Sequence, residues 1–230
     1  MAVRHIRKHY KGEFNMRKMT LILAGLLATT LSLGIHAQEA KTFEVTITNI
    51  TKEQIFTPLL LATHTGAVSL FTPGQPASDE LELQAEGGDP MPLKGLLDDN
   101  PGVLNTAVAG GLLMPGQSVT VEIQGNGKFN RLSITSMLIP TNDTIVGLRS
   151  MKLPSRSAMA AVPAFDAGTE VNDEDCNNIP GPFCMGEGSN PAGGEGYVYI
   201  SNGISGMADL APDAFDWKNP VARVVVKHVE

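Results

Sequence analysis

Positive charge is scarce in this chain, and so are cysteine, histidine and aromatic side chains. The 230 residues carry 17 Lys/Arg against 24 Asp/Glu, with two Cys, five His and one Trp. Six of the basic residues, one Glu and three of the histidines fall within residues 1–37. The remainder holds 11 basic against 23 acidic residues, a net charge of −12. That balance argues against nucleic acid and anionic membrane surfaces as partners, because both are gripped by basic patches. It permits cation binding. Only His64 and His228 lie beyond residue 37, with no H-x-x-x-H or C-x-x-C spacing, so a zinc ligand set is lacking. There is no G-x-S-x-G elbow and no G-x-x-x-x-G-K phosphate loop. A Ser-His-Asp triad stays open on these residues, since triads assemble across a fold rather than along a sequence. A lone His that ends an apolar run, as His64 does, is more often structural.

The one long apolar run is TLILAGLLATTLSLGIHA, residues 20–37, preceded by Arg4, Arg7, Lys8, Lys11, Arg17 and Lys18. Basic region, apolar region and small-residue site together form a signal-peptide pattern, with a cut expected after Ala37. Met16 opens MRKMTLILAG, a more ordinary start for such a signal. An uncleaved anchor is the alternative, as the run is about long enough to span a bilayer. Its Thr, Ser and Gly content and the Ala37 site favour cleavage. Residues 38–230 then suit a single domain with a sizeable core.

Periodicity of two dominates that domain. Residues 43–50 set Phe43, Val45 and Ile47 against Glu44, Thr46 and Thr48, and 118–125 repeat the pattern with Val119, Val121 and Ile123. Residues 55–64, 131–138, 196–201 and 222–230 also read as strands, with Pro58 marking an edge or bulge in the first. Helical signals are confined to 78–87, with Ser78 as a cap, and 93–102, closed by Pro101. Short strands separated by PG, GNG, GGDP and NPAGG turns predict an all-β fold, an antiparallel sandwich with a few short helices. Residues 172–195 are a long loop, and loops of that length are usually functional or disordered.

That loop holds Cys176 and Cys184, which in an exported chain predict a disulfide around the turn CNNIPGPFC. A metal thiolate is the rival, but no second Cys pair or nearby His supports it. Just before it, AFDAGTE runs into VNDED, placing Asp166, Glu170, Asp173, Glu174 and Asp175 within ten positions. Carboxylates that close repel one another, so they form either a solvated acidic loop or a cation site. Asp166 and Glu170 flank Gly168, whose freedom allows a tight turn. Calcium needs about six to eight oxygen ligands, so a third carboxylate must come from elsewhere. Asp143 in NDTIVG is the candidate. The spacing is not that of an EF-hand. Trp217 reads as a core or sheet-edge aromatic, with a sugar-binding platform as the alternative.

Taken in order, FEVTITNIT, FTPLLLATH, SITSMLIPTNDTIVGL and FDAGTE resemble the spondin domain, the N-terminal module of F-spondin and mindin, over about residues 42–230. Animal members show Ser-Met-Leu-x-Pro-Ser-Pro-Asp-Trp-x-Val-Gly and later Asp-Ala-Gly-Thr-Asp; this chain has SMLIPTNDTIVG and DAGTE. The resemblance implies a C2-like β-sandwich with a calcium ion at one end of the strands. It maps the metal ligands to Asp143, Asp166 and Glu170, and leaves Asp173, Glu174 and Asp175 as solvated residues. Glu170 stands where the animal proteins have Asp, and Thr144 where they have Trp. The extra methylene of Glu is within calcium's flexible geometry. The Thr weakens any claim of a shared partner surface.

These readings converge on an exported, non-enzymatic, calcium-binding module, periplasmic or secreted, with a role in binding or adhesion. An extracellular or envelope protein or glycan is the expected partner, with no membrane contact after signal cleavage. The alternative is a metal-assisted hydrolase of an extracellular polymer, which needs a general base beside the metal. His64 discriminates: within reach of Asp143 or Asp166 in a cleft it supports the enzyme, and buried in a strand it opposes it.

Overall fold

Alternation along the chain becomes a two-sheet sandwich in the computed structural model, which describes residues 39–188 and 193–229. The expected signal segment 1–37, its expected cut after Ala37 and the alternative start at Met16 lie outside the described residues. Strand β1 (Lys41–Asn49) buries Phe43, Val45 and Ile47 and keeps Glu44, Thr46 and Thr48 partly exposed, as the period of two requires. Next come β2 (Ile55–Phe56) and β3 (Leu60–His64). The sequence reads 55–64 as one strand; it is two, because Pro58 between them has no N–H to give a ladder.

Helix α1 (Asp79–Gly87) starts where Ser78 accepts the N–H of Leu81 at 3.2 Å, and ends at Gly88 with a φ of 72°. Helix α2 (Met91–Asp98) begins earlier than its sequence signal, since Pro92 fits the first turn, and stops at Asp98 rather than at Pro101. Then follow β4 (Val103–Val108), β5 (Ser118–Gly125), β6 (Arg131–Ile139), β7 (Thr144–Lys152), β8 (Ser157–Val162) and β9 (Ala164–Asp166). The chain closes with β10 (Tyr199–Ile200), a single-turn α3 (Pro212–Phe215) and β11 (Ala222–Val229). Residues 196–201 thus supply only a two-residue strand.

Among the described residues, one sheet has the order β5-β1-β11-β8 and the other β10-β9-β7-β6-β3-β4, with β2 also on β6. All pairings are antiparallel. The architecture is the expected antiparallel β-sandwich.

The larger sheet is covered on both faces. One face shares a core with the smaller sheet, in which Ile47, Leu61, Ile134, Val146 and Val224 meet. The other packs Leu60, Ala62, Ile145 and Phe165 against Leu81, Ala85, Leu93 and Leu97 of the two helices. Each Val, Leu, Ile or Phe side chain fully buried in this way contributes about 1.5–3 kcal/mol. Gln84 pins α1 to β6, donating to the Thr135 carbonyl at 3.2 Å and accepting the Thr135 hydroxyl at 2.7 Å. Trp217 belongs to the inter-sheet core and is 8% exposed, which removes the sugar-platform alternative.

Candidate metal centre

The turn between β6 and β7 and the chain leaving β9 emerge at the same end of the larger sheet, because Thr144 opposes Asp166 in the β7–β9 ladder. Asp143 precedes Thr144, and its carbonyl accepts the N–H of Ala167 at 3.1 Å. The D-A-G-T-E turn then curls over the Asp143 side chain. Thr169 N–H and Glu170 N–H donate to Asp143 Oδ2 at 2.8 and 3.1 Å, with the Thr169 hydroxyl at 3.3 Å. Gly168 makes the curl possible. Its φ is +69°, and a Cβ there would lie 2.2 Å from the Tyr197 carbonyl oxygen.

Asp166 Oδ1 accepts the N–H of Gly168 at 2.9 Å, and Oδ2 accepts the Asn172 amide at 2.9 Å. The same amide reaches Tyr199 Oη at 3.1 Å. Glu170 Oε1 accepts from Asn142 Nδ2 at 3.3 Å. Asp143, Asp166 and Glu170 are 0%, 2% and 0% exposed. Two of their oxygens, Asp143 Oδ1 and Glu170 Oε2, are buried without a hydrogen-bond partner.

Electrostatics at this end are one-sided. The two ion pairs among the described residues, Lys94–Asp98 and Lys218–Asp216, involve none of these carboxylates. Burial, then the charge of Asp166, pushes Asp143 well above the usual carboxylate range. Burial also raises Asp166, against the bonds from Asn172 and Gly168. Glu170 is pushed up to about 7 by burial, with the Asn142 bond opposing and the charges of Glu86 and Asp173 adding to it. Burial and then Asp166 raise the Tyr199 hydroxyl. At neutral pH this cluster has to share protons or hold a cation.

The predicted residues are therefore gathered in part. Asp143 and Asp166 lie within hydrogen-bond reach of each other. Glu170 binds Asp143 through its backbone, while its carboxyl has Asn142, Glu86 and Asp173 as neighbours. Among the described residues, no group of three or more Asp, Glu, His or Cys side chains stands ready-made as a metal cage.

Sequence reasoning missed Asn142. Its amide donates to Glu170 Oε1 and Asp173 Oδ1, and its carbonyl oxygen accepts the N–H of Glu174. Glu174 is also not the solvated residue expected. It is 5% exposed, and its two oxygens accept from the Ser205 N–H and hydroxyl and from the N–H groups of Gly206 and Met207 at 2.5–2.7 Å. Glu195 and Tyr199 join Asp166 and Glu174 along a small cavity of about 190 Å³. Cys176 and Cys184 form the expected disulfide.

His64 sits away from the carboxylates. It is fully buried in β3 opposite Arg131; Nε2 meets Ser133 Oγ at 2.8 Å and Nδ1 the Thr65 carbonyl at 2.7 Å. Neither Asp143 nor Asp166 is its partner, and burial lowers its pKa. His228 lies opposite Phe43 on β1, with the ring centroids 5.3 Å apart.

The Spondin_N family model matches residues 39–172, more than half of the chain, and spans Asp143, Asp166 and Glu170. The match ends at Asn172, before the disulfide loop and β11. No curated protein matches the chain. With the sandwich, the linked motifs and this match in agreement, the chain belongs to the Spondin_N family.

Proposed function

We propose that the mature chain is an exported, non-enzymatic module that holds one calcium ion with Asp143, Asp166 and Glu170 and binds a protein or glycan outside the cytoplasm, in the periplasm or after secretion. The family is one of extracellular-type, non-enzymatic modules. The disulfide is in keeping with an oxidising compartment. No described helix is long and apolar enough to cross a membrane.

The observation that carries the calcium reading is the pair of unpartnered buried oxygens, Asp143 Oδ1 and Glu170 Oε2, in a cluster without a Lys or Arg ion pair among the described residues. Hard oxygen donors suit calcium, and waters or carbonyls complete its shell. Bound there, the ion supplies positive charge that offsets the repulsion between the carboxylates. It also ties the β6–β7 turn to the D-A-G-T-E turn. Among the described residues no observation favours the hydrolase: His64 is spent on Ser133 and a carbonyl, away from the carboxylates.

The test is scanning calorimetry of the mature chain with calcium and with chelator, repeated on Asp166→Asn. Calcium raises the melting temperature of the parent protein and not of the variant. An unchanged melting temperature in the parent at millimolar calcium rejects the metal reading, while the sandwich and family membership stand.

A further inference from the structure

The opposite pole of the sandwich carries a cavity of different chemistry. Strand β7 runs from the carboxylate cluster at Thr144 to Lys152, about 25–30 Å away at strand rise. There the two sheets part, and a cavity of about 500 Å³ opens between the starts of β1 and β8 and the ends of β5 and β7. That volume is in the range of small-molecule sites.

Its apolar lining includes Phe43, Leu153 and Pro154. Gly125 lets Leu153 lie close, since a Cβ at that position would come 2.3 Å from Leu153 Cδ1. Its charged lining consists of Lys41 and Lys152, with no acidic side chain. Neither lysine is in an ion pair among the described residues. Lys152 moreover stands directly opposite Arg131 in the β6–β7 ladder, an unfavourable like-charge pairing. The acidic residues of the neighbouring strands, Glu44 and Glu122, oppose each other on β1 and β5 and do not line the cavity. On residues 38–230, of net charge −12, two lysines without an ion pair among the described residues, at one apolar cavity, are out of keeping with the acidic balance.

We infer that this cavity binds a small amphipathic anion, with its acidic head between Lys41 and Lys152 and its hydrocarbon or aromatic body on Phe43 and Leu153. Charge-assisted bonds at the rim select the anion, and burial of the body supplies the affinity. Acidic groups without a body lose the apolar contact, and neutral bodies lose the ammonium contacts. The site is independent of the calcium reading, as it shares no residue with the carboxylate cluster.

Sodium octanoate is the probe, titrated into the mature chain by calorimetry. Saturable one-to-one binding with a dissociation constant of about 1 mM or tighter is expected. Acetate and octyltrimethylammonium are expected not to bind. Lys41→Gln/Lys152→Gln is expected to bind octanoate about tenfold more weakly. Both lysines are solvent-exposed, so the variant keeps the parent melting temperature. Asp166→Asn, which tests the metal, leaves octanoate binding intact. The inference is overturned by absence of saturable binding up to about 10 mM octanoate, by equal affinity for octyltrimethylammonium, or by unchanged affinity in the double lysine variant.

Discussion

The backbone N–H of Thr169 donates to Asp143 Oδ2 at 2.8 Å, joining two turns that lie 26 residues apart in the chain. With the Glu170 N–H on the same oxygen, Asp143 works as a staple between the β6–β7 turn and the D-A-G-T-E turn, whether or not a metal is bound. Replacing it separates its two roles. Asp143→Ala strands the buried Glu170 N–H and the partly buried Thr169 N–H and is expected to cost about 2–4 kcal/mol in chelator. Asp143→Asn keeps an acceptor oxygen and resembles the protonated carboxyl that burial favours without metal, so it is expected to be nearly neutral in chelator and to lose the calcium response. Urea denaturation of both variants checks the contrast. Equal losses would show that the two N–H bonds are not the source of the cost.

Gly168→Ala is expected to destabilise by about 2 kcal/mol or more, because the left-handed backbone and the Tyr197 carbonyl both oppose a side chain there. The same denaturation series measures it. A loss under about 0.5 kcal/mol would mean that the turn relaxes without cost.

Glu174 sets a pH dependence. Burial pushes its carboxyl up, but the donors from Ser205, Gly206 and Met207 outweigh that and hold it below the ordinary Glu value. A depressed folded value stabilises above the unfolded pKa of about 4.3, and the contribution is lost as pH falls through the folded value. Glu174→Gln is therefore expected to cost about 1–3 kcal/mol near neutral pH, and the gap from the parent to shrink toward about pH 3. A gap that stays constant with pH would assign the cost to shape rather than charge.

Legibility in the sequence followed how many faces each strand buries. Strand β1 alternates because one face meets the core and the other solvent. Strand β6 is buried along nearly its whole length, between the smaller sheet and α1, so alternation fades into an apolar run. Strand β8, SAMAAV, is rich in Ala and carries little strand preference. At the site, the meeting of the two turns that carry Asp143, Asp166 and Glu170 was legible because two linked motifs mark them. Asn142 was not, since one neutral amide has no spacing signal. Glu174 looked solvated because its donors lie 31–33 residues further on and only folding brings them back. Glu86 reaches Glu170 from α1, a separation of 84 residues that no local pattern encodes.

The most direct measurement is calcium titration of residues 38–230 by isothermal calorimetry, alongside their melting curve. One ion per chain is expected, with a gain of about 5–10 °C when calcium is about a hundredfold above its dissociation constant. Asp166→Asn is expected to abolish both signals. No binding heat and no melting shift at about millimolar calcium would contradict the claim that these buried carboxylates exist to hold a divalent ion.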